Sequence, residues 1–181
     1  MPDIDFQALD GHRTLDVLDD LADLYVRVHT EPPYNSAPKF SRDRFVDRTR
    51  EQAMASGFAL ITGRCDGELV GFAFGFSMMP GAWWANASPP PAKVLRASKF
   101  ALVEFVVAKA WRGQGAGRHL LGALLEGRAE EYATLAAVVD ADAYGLYLRW
   151  GWRKVAEFRV EPPYSDALVL PLPPVAQDED A

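Results

Sequence analysis

LVEFVVAKAWRGQGAGRHLLGALLEGR, residues 102–128, runs an apolar strand into a glycine-rich turn and then directly into an amphipathic helix. Such a junction leaves the first backbone N–H groups of the helix unpaired. Those groups and the positive end of the helix dipole converge on one small volume, where an anion, typically a phosphate, is held. Gly113, Gly115 and Gly117 have no side chain to keep the anion away, and they tolerate the backbone angles such a loop needs. Arg112 and Arg118 add positive charge at the two ends. The spacing narrows the ligand. Triphosphate-hydrolysing loops end in Gly-Lys-Ser/Thr, which is missing, and a dinucleotide fingerprint would need glycine where Arg118 stands. What fits is Arg112-x-x-Gly115-x-Gly117, followed by a helix with Leu120, Leu121, Leu124 and Leu125 on its inner face.

Beyond this junction, 181 residues, 49% of them apolar, suffice for one domain with a sizeable core. A formal net charge of −6 and the lack of any Lys/Arg block argue against nucleic acid and favour cationic small molecules as partners. Cys65 is the only cysteine, so an intrachain disulfide is impossible, no metal-ligand spacing exists, and a reducing compartment is implied. The first residues are acidic without an apolar signal core, and no segment is long and apolar enough for a bilayer. A cytoplasmic protein with no membrane contact is expected.

Upstream, residues 4–8 read as a strand, and Thr14 reads as the cap of a helix with Leu15, Leu18, Ala22, Tyr25 and His29 on one stripe. Pro32 and Pro33 end that helix. His29, at the end of the stripe, reads as structural or helix-terminal before it reads as catalytic. Residues 31–40 are a loop by composition, and Ser41 caps a second, more polar helix. Residues 58–63 and 68–78 form a hairpin across Asp66-Gly67. Its second strand has Val70, Phe72, Phe74 and Phe76 on a core face, and Gly71, Ala73, Gly75 and Ser77 on a face that lets a helix approach. Residues 79–98 are irregular, and the adjacent Trp83 and Trp84 favour a functional loop over one that merely buries its indoles.

In the strand 100–107, Glu104 shares a face with the apolar Phe100, Leu102 and Val106. Desolvation there would make the carboxylate more basic, which suits a general base; an exposed face or a buried pair with an arginine are the competing readings. Downstream, residues 135–139 form a strand buried on both sides, parallel to strand 100–107 through a right-handed crossover. Residues 143–150 are a last helix closed by Gly151, strands at 153–160 and 167–170 complete the sheet, and the acidic residues 171–181 read as a disordered tail.

Arg112-x-x-Gly115-x-Gly117 resembles the acyl-CoA signature of the GNAT superfamily of N-acetyltransferases. Leu146-Tyr147-Leu148-Arg149-Trp150-Gly151-Trp152 is similar to that family's Leu-Tyr-x-x-x-Gly-Phe, and the order of elements agrees over residues 4–170. Asp140 departs from the asparagine usual at its position. The resemblance implies an α/β (α+β) domain with a mixed, mostly antiparallel sheet flanked by helices, its one parallel βαβ pair splayed to admit CoA. It further implies that backbone at Val106 and Val107 pairs with the pantetheine arm. The amides of Gly113, Gln114, Gly115, Ala116, Gly117 and Arg118, next to Arg112, would hold the pyrophosphate. Tyr147 would protonate the departing thiolate, and the loop with Tyr34 and Phe40 would overhang the acceptor.

The activity this implies is direct transfer of the acetyl group of acetyl-CoA to a primary amine, with Glu104 as base, no acetyl-enzyme on Cys65 and no metal. Tyr34, Phe40, Trp83 and Trp84 would receive a small amine with an apolar or aromatic body. A sensor or interaction module that binds acyl-CoA without turnover would not need both Glu104 and Tyr147. A protein or peptide N-acetyltransferase would need an open groove where the aromatic loop closes. Acceptor identity, acyl length and oligomeric state, a homodimer included, are not written in the sequence.

Overall fold

Asp66 (φ 49°) and Gly67 (φ 82°) both lie in the left-handed region, which lets a two-residue turn match the twist of the strands it joins. The computed structural model describes residues 3–175. In chain order the elements are β1 (Asp5–Leu9), α1 (Gly11–Asp16), α2 (Leu18–His29), α3 (Arg42–Gln52), β2 (Ala59–Cys65), β3 (Glu68–Met78) and α4 (Ala92–Arg96). Then follow β4 (Lys99–Val107), α5 (Ala116–Leu125), β5 (Tyr132–Val138), α6 (Asp142–Arg149), β6 (Arg153–Phe158) and β7 (Ser165–Pro171). One seven-stranded sheet has the order β1-β2-β3-β4-β5-β7-β6. Every neighbouring pair is antiparallel except β4 and β5.

Each face of the sheet carries its own core. On one, Leu21, Tyr25 and Phe45 of α2 and α3 pack on Phe72, Phe74 and Val106. On the other, Leu120, Leu121 and Leu124 of α5 pack on Ala73, Phe100 and Leu135, with Trp152. The small residues of β3 serve this second face: a Cβ on Gly71 would come within 2.9 Å of Leu120 Cδ1. Close helix packing explains Gly71, whereas a Cβ on Gly75 would collide with Ala101 O and the Phe100 ring of the neighbouring β4.

Several elements differ from the sequence expectation. The first helix is capped by Asp10, whose carboxylate accepts from Arg13 N at 2.9 Å, and not by Thr14. Thr14 is buried inside α1 and donates its hydroxyl to Asp10 O at 2.7 Å. The chain breaks at Val17 between α1 and α2, which leaves Leu15 exposed. The loop after β3 contains α4, because the ammonium of the buried Lys99 donates to the carbonyls of Val94, Leu95 and Ala97 at that helix's end. Paired chain also extends past residue 170: Pro171 lies opposite Tyr132, and Leu172 N donates to Glu131 O at 2.9 Å. The rest of the expected tail, residues 176–181, lies outside the described residues. Among the described residues no helix is long and apolar enough to cross a membrane.

Candidate active site

The parallel pair β4–β5 is joined only at Lys99–Tyr132, Phe100–Ala133 and Ala101–Thr134. Beyond Ala101 the strands part. Residues 102–107 keep β3 on one side and residues 135–138 keep β7, so two free backbone edges face each other across a cleft of about 800 Å³. The second strand is therefore not buried on both sides: Ala136 is exposed to the cleft.

β4 also carries a bulge. Phe74 lies opposite Glu104 while Gly75 lies opposite Leu102, so Val103 is an extra residue. The insertion reverses the alternation. Phe100 and Leu102 point to the α5 core, whereas Val106 points to the α2–α3 core. The expectation that Glu104 shares a face with all three is thus corrected, since strict alternation does not survive a bulge. Glu104 lies toward α3, where Arg48 Nη2 reaches its carboxylate at 2.8 Å and also donates to the Tyr25 hydroxyl at 2.8 Å. Its surroundings are a mostly buried ion pair, not purely apolar. Burial opposes the charge on Arg48, but Glu104 and Tyr25 outweigh it and raise the arginine above its ordinary value.

One end of the cleft is made of backbone. Gly113 (φ 74°) and Gly115 (φ 89°) take left-handed conformations, and a Cβ on either would meet nothing, so conformation alone demands glycine. Gly117 differs: its Cβ would come within 3.0 Å of the Phe105 ring. α5 starts at Ala116, and the first amide with a protein acceptor is His119 N, 3.0 Å from Gly115 O. No described protein acceptor meets the six amides from Gly113 to Arg118. Such a row fits a pyrophosphate. Side chains take other work: Gln114 Nε2 donates to Ala110 O at 2.8 Å, and the Arg118 guanidinium lies 5.6 Å from the Trp150 ring. Arg112, expected to add positive charge at this end, is itself paired. It makes a bidentate pair with Glu31 at 2.6 and 3.0 Å, and its Nε donates to Val107 O at 2.9 Å.

The other end is made of side chains. Tyr34, Phe40, Trp84, Glu104 and Tyr147 all line the cleft. Trp83 does not: its indole N–H donates to Ser88 O at 3.0 Å, while that of Trp84 donates to Thr134 Oγ1 at 3.0 Å. The Tyr147 side chain is buried against Trp152 and Phe105. Burial first, then Tyr34 and Glu104, hold its phenol well above the usual value, so it keeps its proton at neutral pH. Tyr25, His29 and Arg48 also belong here, as does Glu31 at the mouth. Only the positions of Tyr25, His29 and Arg48 on the faces of α2 and α3 could have suggested those three, and the same positions serve equally for core packing.

With fold and site in place, comparison gives the class. A model of the Acetyltransferase (GNAT) family matches residues 18–152, so the chain belongs to that family. No curated protein sequence matches it significantly. Among solved structures it is similar to the PaiA N-acetyltransferase of Thermoplasma acidophilum in complex with coenzyme A (11% identical, TM-score 0.58, covering 93% of this chain and 99% of that one). It is also similar to the ribosomal-protein-S18-alanine N-acetyltransferase of Escherichia coli (19%, TM-score 0.61, 99% of each chain). A third is the aminoglycoside N-acetyltransferase AAC(6')-Iy in complex with CoA (15%, TM-score 0.54, 89% of this chain and 93% of that one). At such identities the likeness concerns the fold, and the two whose names give an acceptor differ in it, one a ribosomal protein and one an aminoglycoside.

Proposed function

We propose that residues 4–170 form a cytoplasmic N-acetyltransferase that moves the acetyl group of acetyl-CoA to the primary amine of a small molecule by direct attack. The observation that carries this reading is the splayed β4–β5 gap, with an unpaired row of amides at one end and Glu104 and Tyr147 along it. In this reading the amides from Gly113 to Arg118 hold the pyrophosphate, and the free edge at Val106 and Val107 pairs with the pantetheine arm. Glu104, through water, takes a proton from the ammonium. Tyr147 gives its proton to the departing thiolate. A backbone N–H of the splayed β4 edge polarises the thioester carbonyl.

The small acceptor is supported by how that end is closed. Lys39 Nζ donates to Glu161 O at 3.1 Å and to Pro163 O at 2.5 Å, and Arg44 pairs with Glu161 at 3.2 Å. These bonds tie the segment around α3 to the turn before β7, where a peptide would need an open groove. Tyr34, Phe40 and Trp84 offer aromatic faces to a cation with an apolar body. An acetyl-CoA screen against amines and peptides, read as free thiol, should find turnover with small aromatic or apolar amines. Turnover of peptides alone, or of nothing, overturns the reading.

A further inference from the structure

Of the groups at the acceptor end able to take a proton, Glu104 and His29 differ in what already engages them. Glu104 is bound by Arg48. His29, the last residue of α2, places Nδ1 2.7 Å from Tyr25 O. A carbonyl can only accept, so Nδ1 carries the hydrogen and the neutral ring keeps its lone pair on Nε2. Nε2 has no hydrogen-bond partner among the described residues, yet it is not among the polar atoms sealed from solvent. His29 lines the cleft, so a partner for Nε2 would come from there. The ring is walled by Tyr25 at 4.0 Å, Tyr34 at 4.6 Å and Phe40 at 4.7 Å, which fix its orientation. A histidine whose only task was to close α2 would need Nδ1 alone.

Building on the acetyl-transfer reading above, and moving the role of base away from Glu104, which Arg48 already engages, we propose that Nε2 of His29 is the atom that removes the proton of the acceptor amine, with the Glu104–Arg48 pair holding that amine beside it. The ammonium gives one proton to Nε2, and the lone pair so freed forms the C–N bond as the C–S bond breaks. The sulfur takes the Tyr147 hydroxyl proton, and the second proton of the nitrogen restores the phenol. His29 returns its proton to solvent, so one proton is released per turnover. Burial holds the imidazole below its ordinary value, leaving it neutral at pH 7. Glu104 on β4 and Glu31 beyond α2 favour the charged ring, and Arg48 on α3 opposes it. The tyrosines of α2 and the following loop, Tyr25 and Tyr34, themselves lie above the usual phenol value and stay neutral.

The test uses His29→Asn and His29→Gln, each checked for an unchanged thermal melt, on the full chain. With the best amine from the screen, kcat should fall about 100-fold, the KM for acetyl-CoA should stay within about twofold, and the acidic limb of the pH profile should vanish. Added imidazole should restore part of the rate, which a merely structural histidine would not allow. Nitrogen-15 spectra of the wild-type protein at pH 7 should show the hydrogen on Nδ1 and a bare Nε2; a hydrogen on Nε2 overturns the proposal. So does an acidic limb that persists in both His29 variants and disappears in Glu104→Gln. A wild-type protein that turns over no amine overturns the acetyl-transfer reading and this proposal with it, whereas turnover unaffected at His29 overturns this proposal alone.

Discussion

The two ends of the cleft are built from different material. The end proposed to hold the pyrophosphate is seven consecutive residues, 112–118, which offer backbone amides aimed by two left-handed glycines and a helix start. The acceptor end draws side chains from α2, α3, β4, α6 and two loops, among them His29, Arg48, Glu104, Tyr147 and Trp84. A backbone site should ignore most side-chain changes and fail wherever a Cβ forbids its dihedral angles. A side-chain site should do the reverse. On the proposed reading, the difference predicts that single substitutions separate cofactor affinity from chemistry in one continuous cavity.

The largest effect that would sharpen this contrast lies at the acceptor end. Tyr147→Phe and Glu104→Gln should each lower kcat about 100-fold, roughly 2.7 kcal/mol in transition-state terms. CoA binding, measured by calorimetry, should change less than about twofold. Equal losses in rate and CoA affinity would erase the distinction. Next comes the backbone end: Gly115→Ala places a Cβ at φ 89°, a strain of about 1–2 kcal/mol that should displace the amide row and weaken CoA binding about tenfold. Gln114→Ala, which alters only a side chain directed at Ala110, should leave calorimetric affinity unchanged.

A smaller effect separates the two tryptophans. Trp84→Ala should raise the KM for the best amine about fivefold, whereas Trp83→Ala, outside the cleft, should not change it. The smallest concerns the joint between the two ends, the Glu31–Arg112 pair. The hydrogen bond from Arg112 holds the Glu31 carboxyl below its ordinary 4.5. Its stabilisation is therefore complete above that ordinary value and is lost as pH falls through the lower folded value. Glu31→Gln should cost about 0.5 kcal/mol by denaturant unfolding at pH 7, and less as pH falls through the folded value, given the partial exposure of both partners. A loss independent of pH would mean that the carboxylate charge is not what joins the two ends.

Much of this protein was legible in its sequence wherever the deciding physics is local. A glycine that must take φ 89° is chosen by its own backbone, Asp66-Gly67 makes its turn without help from afar, and the apolar stripe of α5 repeats with the helix's own period. Those signals determined the strand–loop–helix, the hairpin and, with the Leu-Tyr motif, the family. Tertiary structure decided the rest. Val103 bulges because β4 must pair with β3 while parting from β5, and that pairing, invisible in the alternation of residues 100–107, turned Glu104 toward Arg48. Adjacency could not tell Trp84 from Trp83, because the site of Thr134 relative to the loop is set by the sheet. Nor could helical spacing distinguish a histidine that ends α2 from one that also lines a cleft, since the cleft's other wall comes from strands more than seventy residues further along the chain.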